Sequence, residues 1–254
     1  MLLVIDVGNT NIVMGVFEDE NLKTNFRIST QWTRTSDEYG HHILSLLNYS
    51  GIQQKQIDAV IISTVVPPLT DTLAAMSRKY FNSEAVFVDP GTKTGLNIKY
   101  ENPKEVGADR IVNAVAALAL YGGPCIIVDF GTATTFCAVT KKGEYLGGAI
   151  APGIGISVEA LFRAAARLPR VQLVKPKSVI GRNTVESMQA GIYYGFVSQV
   201  DGIVRKIKSQ MGASALVIAT GGLADLISKD SETINEVAPL LTLEGLRLIY
   251  NRNK

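Results

Sequence analysis

The sequence predicts an α/β protein made of two copies of one unit, each a mixed β-sheet with flanking helices. Three observations carry that prediction. An apolar strand ending in Asp, then Gly and a hydroxyl-rich tail, occurs as LLVIDVGNTN at 2–11 and again as CIIVDFGTAT at 125–134. Each copy opens the same order of elements, β-β-β-α-β-α-β-α. The strand AVIIST at 59–64 is matched by ALVIAT at 215–220.

In the first half, LLVID at 2–6 is a short buried strand. Turns at Gly8–Asn11 and near Asp19–Asn21 lead into IVMGVF and LKTNFRIS, giving three consecutive antiparallel strands. DEYGHHILSLLNYSG, from Asp37, has helical periodicity and stops at Gly51. AVIIST follows as a fully apolar strand, then a helix at 68–81 with proline at its start, a strand AVFVD at 85–89, and a loop rich in Gly, Asn and Pro. ADRIVNAVAALALYG at 108–122 is a long apolar helix.

The second half repeats the order: strands at 125–130, 134–140 and 143–151, a helix at 156–168, and a helix from about Thr184 to Met211. ALVIAT, a short helix, a short strand near Val237 and a closing helix at 243–251 complete the copy. Asp6 to Thr64 is 58 residues and Asp129 to Thr220 is 91, so the second copy carries about 33 extra residues, placed near 153–184. The expected domains are residues 1–121 and 122–254.

Composition narrows the partners. Hydrophobic residues make up 46% and charged residues 19% of 254, enough for a substantial core. A net charge of +2 and the lack of a basic arm give no support to nucleic-acid binding. Cys125 and Cys137 lack metal-type spacing and read as buried reduced thiols of a cytoplasmic protein. The longest uncharged run, Ile111–Val128, is broken by Gly122-Gly123-Pro124, which argues against a membrane span. Adjacent His41 and His42 point in different directions on a helix and do not suggest a shared metal.

The D-x-G-x-T pattern suits phosphate. Gly8 and Gly131 lack Cβ and allow close backbone approach, and Asn9, Thr10, Asn11, Thr132, Thr134 and Thr135 add short donors. Asp6 and Asp129, at strand ends, can hold a hydrated cation. Either turn alone reads equally well as a plain hairpin, but two copies in the same context favour the functional reading. Asp109, in the first turn of the 108–122 helix, can accept a proton from a substrate hydroxyl, with Arg110 beside it for an anionic group; the plainer alternative is an Asp that favours a helix N-terminus. Thr184 reads as an N-cap at the end of the inserted segment. Gly221-Gly222, after ALVIAT, offers flat backbone to a base or ribose, or is a simple strand-to-helix turn.

With these residues assembled, the chain resembles the type III pantothenate kinases, members of the superfamily of actin, hexokinase and acetate kinase. The resemblance rests on DVGNTN at 6–11, ISTVVPPL at 62–69, DPGTKTGL at 89–96, NPKEVGADR at 102–110, DFGTATTF at 129–136, GGAIAPGI at 147–154, IGRNT at 180–184 and ATGG at 219–222. It implies two duplicated ribonuclease-H-like (actin-like ATPase) domains with the nucleotide in the interdomain cleft. It also implies ATP-dependent phosphorylation of pantothenate to 4′-phosphopantothenate, the first step towards coenzyme A.

Carried over by position, Asp6, Val7, Gly8, Asn9, Thr10, Asn11, Ile12 and Val13 line the ATP phosphates, and Thr132 joins them from the second half. The resemblance also implies Asp109 as the proton acceptor, contact with pantothenate by Tyr100, Gly107, Ala108, Asp109, Arg110 and Thr184, and a monovalent cation, K+ or NH4+, at Asp129, used besides Mg2+. The resemblance further implies a homodimer with the pantothenate pocket near the subunit interface. Rival readings are another kinase or a polyphosphate hydrolase of the superfamily, and a non-catalytic regulatory protein. An intact phosphate turn and an intact Asp109 argue against the last.

Overall fold

Leu2–Val7 (β1) is apolar on both faces, as a strand must be when helices cover both sides of its sheet. The computed structural model, which describes residues 1–212 and 214–254, shows how. β1 pairs antiparallel with Asn11–Glu18 (β2), which pairs with Asn21–Ser29 (β3). On its other edge β1 pairs parallel with Ala59–Thr64 (β4), and β4 with Val86–Phe87 (β5). The sheet order is β3-β2-β1-β4-β5. Leu3, Ile5, Val7, Ile12 and Met14 fill one face against Tyr39, Ile43 and Leu47 of Ser36–Tyr49 (α1) and Leu73 and Met76 of Thr70–Phe81 (α2). α1 begins with Thr35 as N-cap in a full capping box with Glu38.

The second sheet repeats the pattern. Cys125–Phe130 (β7) pairs antiparallel with Ala133–Val139 (β8), and β8 with Glu144–Pro152 (β9). Leu216–Gly221 (β10) lies parallel to β7, and Glu236–Val237 (β11) parallel to β10. One strand is extra: Asn97–Ile98 (β6), inside a stretch that reads as loop, adds in parallel to the free edge of β9. The core holds Ile126, Val128, Phe130 and Phe136 under Tyr193, Val197, Val200 and Val204 of the helix Thr184–Met211 (α5). Both cysteines are buried thiols outside any disulfide; burial and the neighbouring Cys137 push the Cys125 thiol up to about 12.

The chain forms two compact units: Met1–Gly95 with Asn102–Ala116 and Leu241–Lys254, and Leu96–Glu101 with Ala117–Leu240. No single cut separates them, because two segments cross over. The closing helix Leu241–Asn253 (α7) packs on β1, β2 and β4 of the first unit. There Gly15 leaves room for Leu243, whose Cδ1 would lie 3.0 Å from an added Cβ. Residues 96–101 join the second unit through β6. The helix Ala108–Tyr121 (α3) runs out of the first unit into the second.

Local boundaries shift by a residue or two at several ends and differ most in two places. The helix expected at 156–168 is Ile154–Ala164 (α4), and residues 165–183 follow without helix or strand. The strand expected at 85–89 keeps only two residues in β5. Most of the extra length of the second unit lies where β9 connects to α5, residues 153–183, against residues 30–35 between β3 and α1, and α5 is itself longer, 28 residues against 14 in α1. Among the described residues no helix is long and apolar enough to cross a membrane.

Candidate active site

Asp6 sits one residue before the end of β1, opposite Val13 on β2 and Ser63 on β4. Opposed residues share a sheet face. Val7 and Ile12, by contrast, belong to the buried core on the other face, so anything they offer a ligand is backbone. Between them Asn9, Thr10 and Asn11 are exposed at the tip. The Gly8 N–H donates to the Asn11 carbonyl at 3.0 Å, closing the turn, and a Cβ on Gly8 would lie 3.1 Å from that oxygen. A residue that sequence reasoning missed supports this turn: the Thr30 hydroxyl donates to the Gly8 carbonyl at 2.7 Å, and the Thr30 N–H to the Thr10 carbonyl at 3.0 Å.

In the second unit Asp129 occupies the equivalent place, opposite Thr135 on β8 and Thr220 on β10. Matching the strands by register pairs Ser63 with Thr220, one position away from the match of Thr64 with Thr220 that the sequence suggests. Each Asp therefore has a hydroxyl residue beside it on the parallel neighbour. Gly221 has φ +90°, and a Cβ there would lie 2.6 Å from Asp129 Oδ1 and 2.7 Å from the Phe130 nitrogen. Only glycine lets the carboxylate rest against that backbone. Gly131 donates to the Ala133 carbonyl at 3.1 Å, and Gly153 to the Thr132 carbonyl at 3.1 Å. Thr132 is exposed at the tip; Thr134 points into the core, and its hydroxyl has no partner among the described residues.

The start of α3 lies beside the first turn. Val65 donates its N–H to the Val7 carbonyl at 3.0 Å, and a Cβ on Gly107 would lie 3.8 Å from the Val65 side chain and 2.5 Å from Asp109 Oδ1. The missing side chain at Gly107 thus makes room for the Asp109 carboxylate. Burial pushes the Asp109 carboxyl above its ordinary value, against the Arg110 backbone N–H, which donates to it at 2.8 Å, and the Arg110 charge. Arg110 is itself buried. A carboxylate that holds its proton more tightly than usual is a stronger base when ionised, which suits proton acceptance from a hydroxyl.

Tyr100 follows β6. Its ring lies 6.5 Å from that of Tyr145 and covers Gly147, where φ is +110° and a Cβ would come within 3.1 Å of the ring. The β8–β9 ladder shifts register between Ala138 and Val139, leaving Leu146 as the bulged residue just before Gly147. Thr184 is not the N-cap of α5. Asn183 is, accepting the Glu186 N–H at 2.9 Å, and Thr184 is the exposed first helical residue. It lines a cavity of about 570 Å³ with Leu168, Arg182 and Met188. Among the described residues no three His, Cys, Asp or Glu side chains cluster as a ready-made metal cage. A single carboxylate at a strand end, as at Asp6 and Asp129, nevertheless suits a hard cation that takes its other oxygens from phosphate and water.

Two mixed sheets of this order, each ending in an Asp-x-Gly turn, define the actin-like ATPase fold of the hexokinase-type kinases. The chain superposes on a ROK hexokinase from Thermus thermophilus with a TM-score of 0.53, covering 99% of this chain and 98% of that one at 13% identity. A family model described as type III pantothenate kinase matches residues 2–206. Proteins named type III pantothenate kinase from Exiguobacterium sp. and Halalkalibacterium halodurans are 59% identical over 254 residues and 56% over 253, with 100% of both chains covered in each case. The chain belongs to the type III pantothenate kinase family.

Proposed function

We propose that this chain transfers the γ-phosphoryl group of ATP to the primary hydroxyl of pantothenate, giving 4′-phosphopantothenate and ADP, the first step towards coenzyme A. The observation that carries the residue-level reading is the first unit's arrangement of a phosphate turn beside a carboxylate of raised proton affinity. The hydroxyl oxygen bonds to the γ-phosphorus as the bond to ADP breaks, and the hydroxyl proton passes to Asp109. The N–H groups of Asn9, Thr10 and Asn11 face the phosphates, Arg110 offers charge to the substrate, and Tyr100, Gly107, Ala108 and Thr184 give it surface.

Mg2+ at Asp6 and K+ or NH4+ at Asp129 would supply charge compensation for the phosphates. In the second turn Thr132 is the residue assigned to phosphate, and Thr220 is the register partner of Asp129 on β10. The expected duplication of two actin-like domains is supported by the matching strand orders and by carboxylate and hydroxyl falling at the same register in both sheets. A cytoplasmic homodimer is the expected assembly. The exposed face of α5 supports it, where Gly191, Tyr194, Gly195 and Ser198 form a shallow groove with Val179.

The deciding experiment measures ADP formation with pantothenate, glucose and polyphosphate in parallel, each with and without potassium or ammonium. Pantothenate-dependent turnover is expected. No pantothenate-dependent ADP under any cation would sink the proposal.

A further inference from the structure

We propose that Thr30 is a positioning residue for the nucleotide, holding the first turn so that most of its carbonyls are kept from phosphate and its N–H donors are left to face it. This rests on the reading of Gly8–Asn11 as the phosphate turn. A turn that cradles an anion must keep its carbonyl oxygens, which carry partial negative charge, away from the phosphate. Three of the four carbonyls in this turn are held by named donors. Gly8 O accepts the Thr30 hydroxyl at 2.7 Å, Thr10 O the Thr30 N–H at 3.0 Å, and Asn11 O the Gly8 N–H at 3.0 Å. Two of those three bonds come from one residue.

Thr30 is itself anchored from the core. The Tyr39 hydroxyl, on a fully buried side chain of α1, donates to the Gln31 carbonyl at 2.9 Å and accepts the Gln31 N–H at 3.2 Å. The backbone immediately after Thr30 is therefore gripped at both its donor and its acceptor. A continuous string runs from helix core to turn: Tyr39, Gln31, Thr30, then Gly8 and Thr10.

The second unit supplies an internal comparison. There the residue just past the third strand is Gly153, whose N–H donates to the Thr132 carbonyl as Thr30 does to Thr10. No side chain fits at that place: a Cβ on Gly153 would lie 2.2 Å from the Thr132 oxygen and 2.6 Å from that of Gly131. The backbone bond is common to both units, and the hydroxyl bond belongs to the first alone. The first turn is also one residue longer, four against three between its flanking paired residues. The added hydroxyl thus holds the turn that has more freedom to rotate a peptide.

The test compares wild type, Thr30→Val and Thr30→Ser by equilibrium binding of Mg·ATP, by KM for ATP and for pantothenate, and by thermal melting. Valine keeps the shape and the backbone bond and removes only the hydroxyl. A lost neutral hydrogen bond corresponds to a change of about fivefold. Thr30→Val should therefore weaken ATP binding and raise KM for ATP by about fivefold, with KM for pantothenate nearly unchanged and Tm lowered by only a few degrees. Thr30→Ser should return ATP affinity to within about twofold of wild type.

Wild-type ATP affinity in Thr30→Val overturns the proposal. So does an equal rise in both KM values, which would mean general loosening. If Thr30→Val does not fold, Thr30→Ala carries the same comparison, and failure of both to fold assigns Thr30 a purely structural role and refutes the inference. A wild-type protein that binds no Mg·ATP refutes the phosphate-turn reading itself, a separate and recognisable result.

Discussion

Replacing Asp109 by asparagine separates the two readings of that residue, because they predict opposite signs for stability. As a proton acceptor held in a desolvated place, Asp109 binds its proton more tightly when folded than when unfolded. Below the unfolded carboxylate pKa of about 3.9 both states are protonated and the residue contributes nothing. As the pH rises from there to the higher folded value, the unfolded state ionises first and stability is lost, and the loss persists at neutral pH. Asparagine carries no charge to desolvate, and its Oδ1 can still accept the Arg110 N–H that lies 2.8 Å away in wild type.

Asp109→Asn should therefore raise Tm at pH 7, with the gain narrowing as the pH falls towards 4. Turnover should fall by on the order of 10²–10⁴-fold, the usual contribution of a general base, or about 2.7–5.4 kcal/mol at 1.36 kcal/mol per tenfold. Affinity for Mg·ATP should hold. The wild-type rate should rise with pH through an acidic limb lying above the ordinary carboxylate range. Steady-state turnover across pH, paired with thermal melts of both proteins, measures all of this. Wild-type turnover in the variant refutes the base. A fall in Tm at pH 7 instead identifies Asp109 as a stabilising helix N-terminal carboxylate.

Two further outcomes follow from the geometry. Gly221→Ala and Asp129→Ala should both flatten the response of turnover to added potassium, the first because its Cβ would displace Asp129 Oδ1; an unchanged potassium titration removes Asp129 from the cation site. Asp201→Ala should cost on the order of 3 kcal/mol by denaturant unfolding, since its carboxylate accepts the hydroxyls of Ser231 at 2.6 Å and Thr233 at 2.7 Å and the Glu232 N–H at 3.0 Å. Burial works to raise the Asp201 carboxyl, but these donors together hold it below its ordinary value. Its stabilisation is therefore present above about pH 4 and lost as the pH falls through the lowered native value; a variant as stable as wild type would refute the assignment.

The sheets were legible because strand identity depends on local pattern. LLVIDV and CIIVDF are apolar except for an Asp one residue from the end, and a Gly follows each strand, so both the strands and their turns could be read directly. β6 was not legible: Asn97–Ile98 has no pattern of its own and becomes strand only because β9 leaves an edge free beside it. The same holds for the end of α4, where RAAARLP continues a helical pattern that the chain abandons at Ala164. The start of α1 could have been placed better, because Thr35-Ser36-Asp37-Glu38 spells out the capping box that the structure forms. Asp109 was legible as a carboxylate at a helix start. Its raised proton affinity was not, because that depends on what packs around it.

Thr30 shows where sequence reading stops at the site itself. It is an ordinary threonine at the end of an alternating edge strand, 22 residues from the carbonyl it holds. No motif connects it to Gly8. What connects them is the three-stranded meander, which returns the end of β3 to the beginning of β2, with Asn11 opposite Ser29. The same topology brings Gly153 back to Thr132, with Ala133 opposite Pro152. In each unit the meander fixes which residue will lie against the turn, and the side chain at that one position, hydroxyl or none, determines how firmly the turn's carbonyls are held. The repeated Asp-x-Gly sequence marks where the turns are. The unrepeated residue after the third strand gives the first of them an additional hydroxyl bond to its carbonyls, the feature on which the proposed anion cradle rests.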